Sequence, residues 1–139
     1  MKKLKYFIPA FIWMIFIFIM SHTNGNDSSN QSNFIAEMIL KIIDIDISTL
    51  TFLIRKAAHM SEYALLLLLL FYGFKKTITT KHILSISLAL TFTYACTDEF
   101  HQLFIPGRSG QFKDVLIDTT GGLIMLLIIY LWQKKKSTR

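Results

Sequence analysis

The sequence predicts an all-α membrane protein: a polytopic bundle of about four transmembrane helices plus a short amphipathic helix at the interface. Three observations carry this. The chain is 53% hydrophobic and only 17% charged, too little polar surface for a soluble domain of 139 residues. Its apolar residues come in long runs rather than in the stripes of a soluble core. Its lysines gather at the ends of those runs, where they set topology. The length indicates a single domain, residues 1–139.

The first apolar run, Tyr6 to Met20, follows Lys2, Lys3 and Lys5. A basic start and a short apolar core also describe a secretory signal peptide. The segment that follows, Ser21-His22-Thr23-Asn24-Gly25, has no small-x-small cleavage site. An uncleaved first helix over 6–22 is therefore expected. Asn24 to Asn33 reads as a polar loop. Phe34, Ile35, Met38, Ile39, Ile42 and Ile43 then recur at helical spacing, with Glu37 and Lys41 on the other side. This predicts an amphipathic interfacial helix over 34–43, too short to span. Asp46 and Ser48 are candidate caps for a second span over 48–74, whose Ala64–Phe74 segment carries no charge. Lys75, Lys76 and Lys81 close it. The third span, 82–104, ends at Pro106-Gly107. The fourth, 111–132, is followed by Lys134, Lys135, Lys136 and Arg139.

Charge by side gives the orientation. With the N-terminus inside, the inner segments hold ten of the 15 basic residues. The outer ones hold Lys41, Arg55, Lys56, Arg108 and Lys113. This predicts a multi-pass protein of the bacterial cell membrane with both termini cytoplasmic. The net charge of +6 does not indicate nucleic acid, because the basic residues flank apolar runs instead of covering a soluble face. The single cysteine, Cys96, cannot form an internal disulfide and reads as a small packing residue.

A charge in hydrocarbon costs at least ~2.5 kcal/mol, so it normally meets a partner, a cavity or a function. Arg55, His59 and Glu62 are four and three residues apart and share a face of the second span. Tyr63 sits beside them. On the third span Tyr94, Asp98, His101 and Gln102 share a broad face, and Glu99 is expected to point away. On the fourth, Asp114 and Asp118 share a face with Gly121. Glu62, Asp98 and Asp118 each lie roughly 10 Å below the outer helix end at 1.5 Å per residue. Three helices thus bring carboxylates to one layer, with Arg55 and Arg108 at its mouth.

Several chemistries suit this cluster. Glu62, Asp98 and Asp118, with His59, could ligate a divalent metal. Glu62, His59, Asp98, Asp114 and Asp118 are candidates for acid–base work. Arg55 and Arg108, with Tyr63, His101 and Gln102, are candidates for binding an anionic substrate. The cofactor is open, a divalent metal being one possibility. A purely structural set of ion pairs is the rival, although buried pairs stabilise poorly. The chain has no Gly-x-Ser-x-Gly elbow, phosphate-binding glycine loop or His-Glu-x-x-His motif.

At these same residues the sequence resembles the VanZ-like family of bacterial membrane proteins. The matching pieces are Arg55-Lys56-Ala57-Ala58-His59-Met60-Ser61-Glu62-Tyr63, Thr97-Asp98-Glu99-Phe100-His101-Gln102, Phe104-Ile105-Pro106-Gly107-Arg108 and Asp114-Val115-Leu116-Ile117-Asp118-Thr119-Thr120-Gly121. Ser21-His22 is similar to the family's polar segment after the first helix. Many members carry Asn where this chain has Asp118, which adds a negative charge here. The resemblance implies a four-helix membrane domain and a link to glycopeptide resistance, since the name-giving member is associated with resistance to teicoplanin.

The expected function is an outward-facing site that binds or modifies a cell-envelope component. Membrane lipids are the expected partners, with a lipid-linked or peptide-bearing envelope molecule as substrate. Two alternatives stay open. A small proton-coupled transporter or channel would use the same residue types, although Ala64–Phe74 and Met125–Trp132 carry no charge. A non-catalytic assembly factor would use the amphipathic segment to dock a partner.

Overall fold

The computed structural model describes residues 3–40 and 46–138, apart from the side chain of Gln31. Lys41, Ile42 and Ile43 of the predicted amphipathic stripe, and the terminal charges Lys2 and Arg139, lie outside the described residues. Every regular element among the described residues is helical. A 3-10 turn, Leu4–Phe7, leads into α1 (Ile8–His22); α2 (Gly25–Leu40), α3 (Ile47–Thr77), α4 (Ile83–Gln102) and α5 (Phe112–Ser137) follow. Among the described residues, three stretches are long and apolar enough to cross a membrane: Leu4–His22, Ile47–Thr77 and Phe112–Ser137. The 20 residues of α4 are more polar, with Ser87, Thr91, Asp98, Glu99 and Gln102 all buried.

In α1, Pro9 sits in the first turn, where its missing N–H is harmless. Only Ala10, Ile17 and Ser21 are buried. Phe11, Ile12, Ile15, Phe16, Phe18 and Ile19 are exposed, a surface suited to lipid rather than water. Two polar clamps tie α1 to the bundle. Trp13 Nε1 donates to the Glu62 carbonyl at 2.9 Å, and the Tyr94 hydroxyl donates to the Met14 carbonyl at 2.6 Å.

The polar segment after α1 is helical from Gly25 onward, not the loop that its composition predicts. Its composition suits capping and docking. Asn24 Oδ1 accepts from the N–H groups of Asn26 and Asp27 at 2.9 and 3.1 Å. Ser29 and Ser32 donate back to carbonyls one turn earlier. The helix then lies on α3, where Thr51 donates to Asn33 Oδ1 at 2.8 Å. Phe34, Ile35 and Met38 stay exposed on its far side.

Asp46 caps α3 by accepting from the Thr49 N–H at 3.0 Å. Hydrogen bonds from Ser48 and Thr49 hold its carboxyl below the usual carboxylate range. α3 packs most extensively along α5, and α4 packs against both. The contact is close because its residues are small. A Cβ on Gly121 would lie 2.0 Å from the Met60 carbonyl oxygen, and one on Gly122 would lie 3.2 Å from Thr91 Cγ2. Small residues let helices approach in this way. Gly121→Ala must therefore push α5 off the α3 backbone, at an expected cost of about 1–3 kcal/mol. Thermal unfolding in detergent, followed by tryptophan fluorescence, checks this; an unchanged midpoint would contradict the close packing.

The loop from α4 to α5 returns over the start of α2. The Gly25 N–H donates to the Pro106 carbonyl at 3.1 Å. Gly107 has φ 73°, where a side chain would be strained. A Cβ on Gly25 would lie 1.8 Å from the Gly107 oxygen. At the opposite end, Trp132 lies under Lys75 and Lys136, 5.7 and 5.6 Å from its ring centre. This is the basic, aromatic end of the bundle.

Candidate functional site

The polar residues converge at the end of the bundle where α1 finishes and α5 begins. The Asp98, Glu99 and Asp118 side chains each offer an oxygen within 4.8 Å of the others. They are 3%, 4% and 1% exposed, so this is an interior layer. Gln102 Nε2 donates to Asp98 Oδ2 and Glu99 Oε1, both at 3.2 Å. The Gln111 N–H donates to Glu99 Oε2 at 3.0 Å. Asp98 Oδ1, both Asp118 oxygens, the Tyr63 hydroxyl and the Ser21 hydroxyl are buried without a hydrogen-bond partner. All five atoms belong to this one region, although buried polar groups are normally satisfied.

Glu99 was expected to point away from the layer but is part of it. A helix packed against two neighbours presents two adjacent faces to the interior. α4 packs against both α3 and α5, so Asp98 and Glu99, about 100° apart, both turn inward.

His59 Nδ1 lies 3.7 Å from Asp118 Oδ1, and Asp114 pairs with Lys56. Lys56 had been read only as a topology charge. Glu62 is half-buried and faces a cavity of about 210 Å³ between α1, α2 and α3. Ser21, Arg55, His59, Asp98 and Arg108 line the same cavity. A second cavity, of about 360 Å³, carries Arg55, Lys56, Arg108 and Lys113 together with His59, Gln102 and Asp114. Arg55, His59 and Arg108 form the wall between the two.

The two arginines differ. Arg108 Nε donates to the Thr23 carbonyl at 3.0 Å and its Nη2 to the Met20 carbonyl at 3.2 Å. It therefore caps the C-terminal end of α1, where carbonyls lack helical partners. Burial, and then the nearby Arg55, pull its guanidinium below the ordinary range. Arg55 makes one long contact, from Nη1 to Ser29 Oγ at 3.5 Å. Its charge is thus available to a ligand.

Three predicted residues line neither polar cavity: Asp118, 1% exposed in the acidic layer, Tyr63 and His101. Tyr63 is 0% exposed and is held in the core near Tyr94. His101 Nε2 meets His22 Nδ1 at 3.1 Å, with His22 stacked on Phe18 and His101 tilted against it. That pair joins α1 to α4 beside the cavities. Ser21, Lys56 and Gln111 were not among the sequence's site candidates, although Ser21-His22 and Lys56 stood in the segments that resemble the family.

Below the first cavity lies an apolar one of about 310 Å³, lined by Phe7, Phe11, Met14, Leu66, Leu70, Leu90, Thr93, Tyr94 and Thr97. Met14, Leu66 and Tyr94 are three or four residues from Ile17, Glu62 and Asp98 of the polar cavity. The two hollows are therefore one helical turn apart on the same seam.

No curated protein and no solved structure matched this chain. The family model VanZ/LLP1 matches residues 6–133. That span contains α3, α4, the returning loop and the acidic start of α5, so the helices that build the layer fall inside the match: the chain belongs to the VanZ/LLP1 family.

Proposed function

We propose that this membrane protein receives the anionic headgroup of a lipid-linked cell-envelope molecule at the outer leaflet, with both termini in the cytoplasm. The observation that carries this reading is the stacking of two hollows on the α1–α3–α4 seam, polar above and apolar below. An amphiphile has the same order of parts. Its phosphate or carboxylate would meet Arg55, with Lys56 and Lys113 contributing long-range attraction from the adjoining cavity. Its chain would lie along Met14, Leu66 and Leu70.

The depth is suitable. α3 has 31 residues, whereas about 20 suffice to cross the hydrocarbon. With Ala64–Phe74 in that core, Arg55 and His59 reach the headgroup region. The exposed Phe34, Ile35 and Met38 of α2 suit an interfacial helix beside the polar cavity. Glu62, His59 and Asp98 around the headgroup would supply acid–base groups if the bound molecule is modified. Family membership supports a link to the action of glycopeptides such as teicoplanin, which target the envelope.

The test is teicoplanin susceptibility of a Gram-positive host expressing the protein or its Glu62→Gln/Asp98→Asn variant at equal membrane levels. The wild-type chain is expected to raise the inhibitory concentration and the variant to leave it at the host's value. Equal protection by both would assign the polar cluster a structural role. Protection by neither would separate this chain from glycopeptide action.

A further inference from the structure

We infer that Asp98, Glu99 and Asp118 form a buried site for one hard divalent cation. The proposal does not rest on the headgroup reading, because cation binding to these carboxylates requires no bound amphiphile, although Asp98 is shared with the first cavity. Three carboxylates from α4 and α5 offer oxygens within 4.8 Å of one another. Among the described residues, no lysine or arginine forms an ion pair with any of them; the one basic group nearby is His59, whose Nδ1 lies 3.7 Å from Asp118 Oδ1, beyond hydrogen-bond length. Their hydrogen-bond donors are the neutral Gln102 amide and the Gln111 N–H.

The second, independent observation is the set of unpartnered atoms. Asp118 is 1% exposed and neither of its oxygens has a donor. Asp98 Oδ1 is also unpartnered. Tyr63, at 0% exposure, adds a hydroxyl beside Asp98 and Asp118. Buried lone pairs without donors are stable when they face a cation. A charge of +2 would reduce the layer's formal charge from −3 to −1.

The donor set selects the class of ion. All the donors are oxygens and no thiolate is present, which suits Mg²⁺, Mn²⁺ or Ca²⁺ over Zn²⁺ or Cu²⁺. Gln102 and Gln111 orient Glu99, and Gln102 also orients Asp98, as supporting groups do around metal ligands. Asp98 also lines the first cavity and Gln102 the second, which provides an entry path.

The test is titration of the full chain in detergent with Mn²⁺ after chelator treatment, with bound metal read by electron paramagnetic resonance. One Mn²⁺ per chain is expected, displaced by excess Mg²⁺ or Ca²⁺. Asp118→Asn is expected to weaken it roughly 100-fold or more, since even supporting groups are worth about 10- to 100-fold. Glu37→Gln, at an exposed acid of α2, is expected to change nothing. Absence of stoichiometric Mn²⁺ binding to the folded wild-type chain would overturn the proposal. So would binding that survives Asp118→Asn, or a strong preference for Zn²⁺.

Discussion

Arg55→Glu is expected to weaken binding of an anionic amphiphile by about 2–3 kcal/mol, roughly 30- to 150-fold. Farnesyl diphosphate, a short isoprenoid chain with a diphosphate head, is a suitable probe. Arg55 borders both polar cavities and pairs with no acid among the described residues. Its one protein contact, to Ser29, is long at 3.5 Å, so most of its hydrogen-bonding capacity remains for a ligand. Arg108 nearby is turned to carbonyls, and the two like charges repel, which an anion would relieve. A carboxylate at position 55 removes the charge-assisted bonds and adds repulsion. Arg55→Lys should fall between the two, since an ammonium keeps the charge but loses the planar fork. Thermal stability of Arg55→Glu should stay close to wild type, because little protein bonding is lost. Calorimetric titration in detergent reads the effect. Equal affinity in the two proteins would remove Arg55 from the headgroup reading.

How much of this site was readable in the sequence follows from which positions depend on a single helix. Asp98 and Asp118 could be placed at one depth because depth along a helix follows from residue number, whereas Glu62, expected in the same layer, lines the first cavity beside it. Glu99 could not, because its burial depends on α4 packing against two neighbours. The helix over residues 25–33 was hidden for a related reason. Its serines and asparagines look like loop residues until Asn24 caps the turn and α3 provides a surface for Asn33. Pro106 and Gly107 announced a turn but not that it returns over Gly25. Lys56 carried a topology signal, which left its pairing with Asp114 unseen. The family blocks contain most of these residues, so the motif was legible while the role of each residue within it needed the tertiary arrangement.

Arg108→Ala is expected to cost about 2–4 kcal/mol of stability and to loosen the end of α1 before the rest unfolds. The sequence suggested an anion-binding arginine, yet its Nε and Nη2 donate to the carbonyls of Thr23 and Met20. Hydrogen bonds involving a charged group contribute about 1.5–3 kcal/mol each; partial exposure of Arg108 places the sum toward the lower end. Alanine leaves the Thr23 carbonyl without a protein donor, leaves Met20 only the bond from the Thr23 N–H, and frees the returning loop. That loop also carries the Pro106 carbonyl that accepts from Gly25, so α2 should loosen with it. Arg108→Lys should recover less than half of the loss, because one ammonium cannot reproduce a rigid two-point donor. Thermal unfolding measures the total, and hydrogen exchange locates it, with faster exchange predicted at Thr23 and Gly25 and little change across Leu66–Leu70. A variant that melts with wild type but loses farnesyl diphosphate would return Arg108 to the ligand side. Lost stability with retained binding would make it the clasp that holds α1, α2 and the α4–α5 loop around the polar cavity.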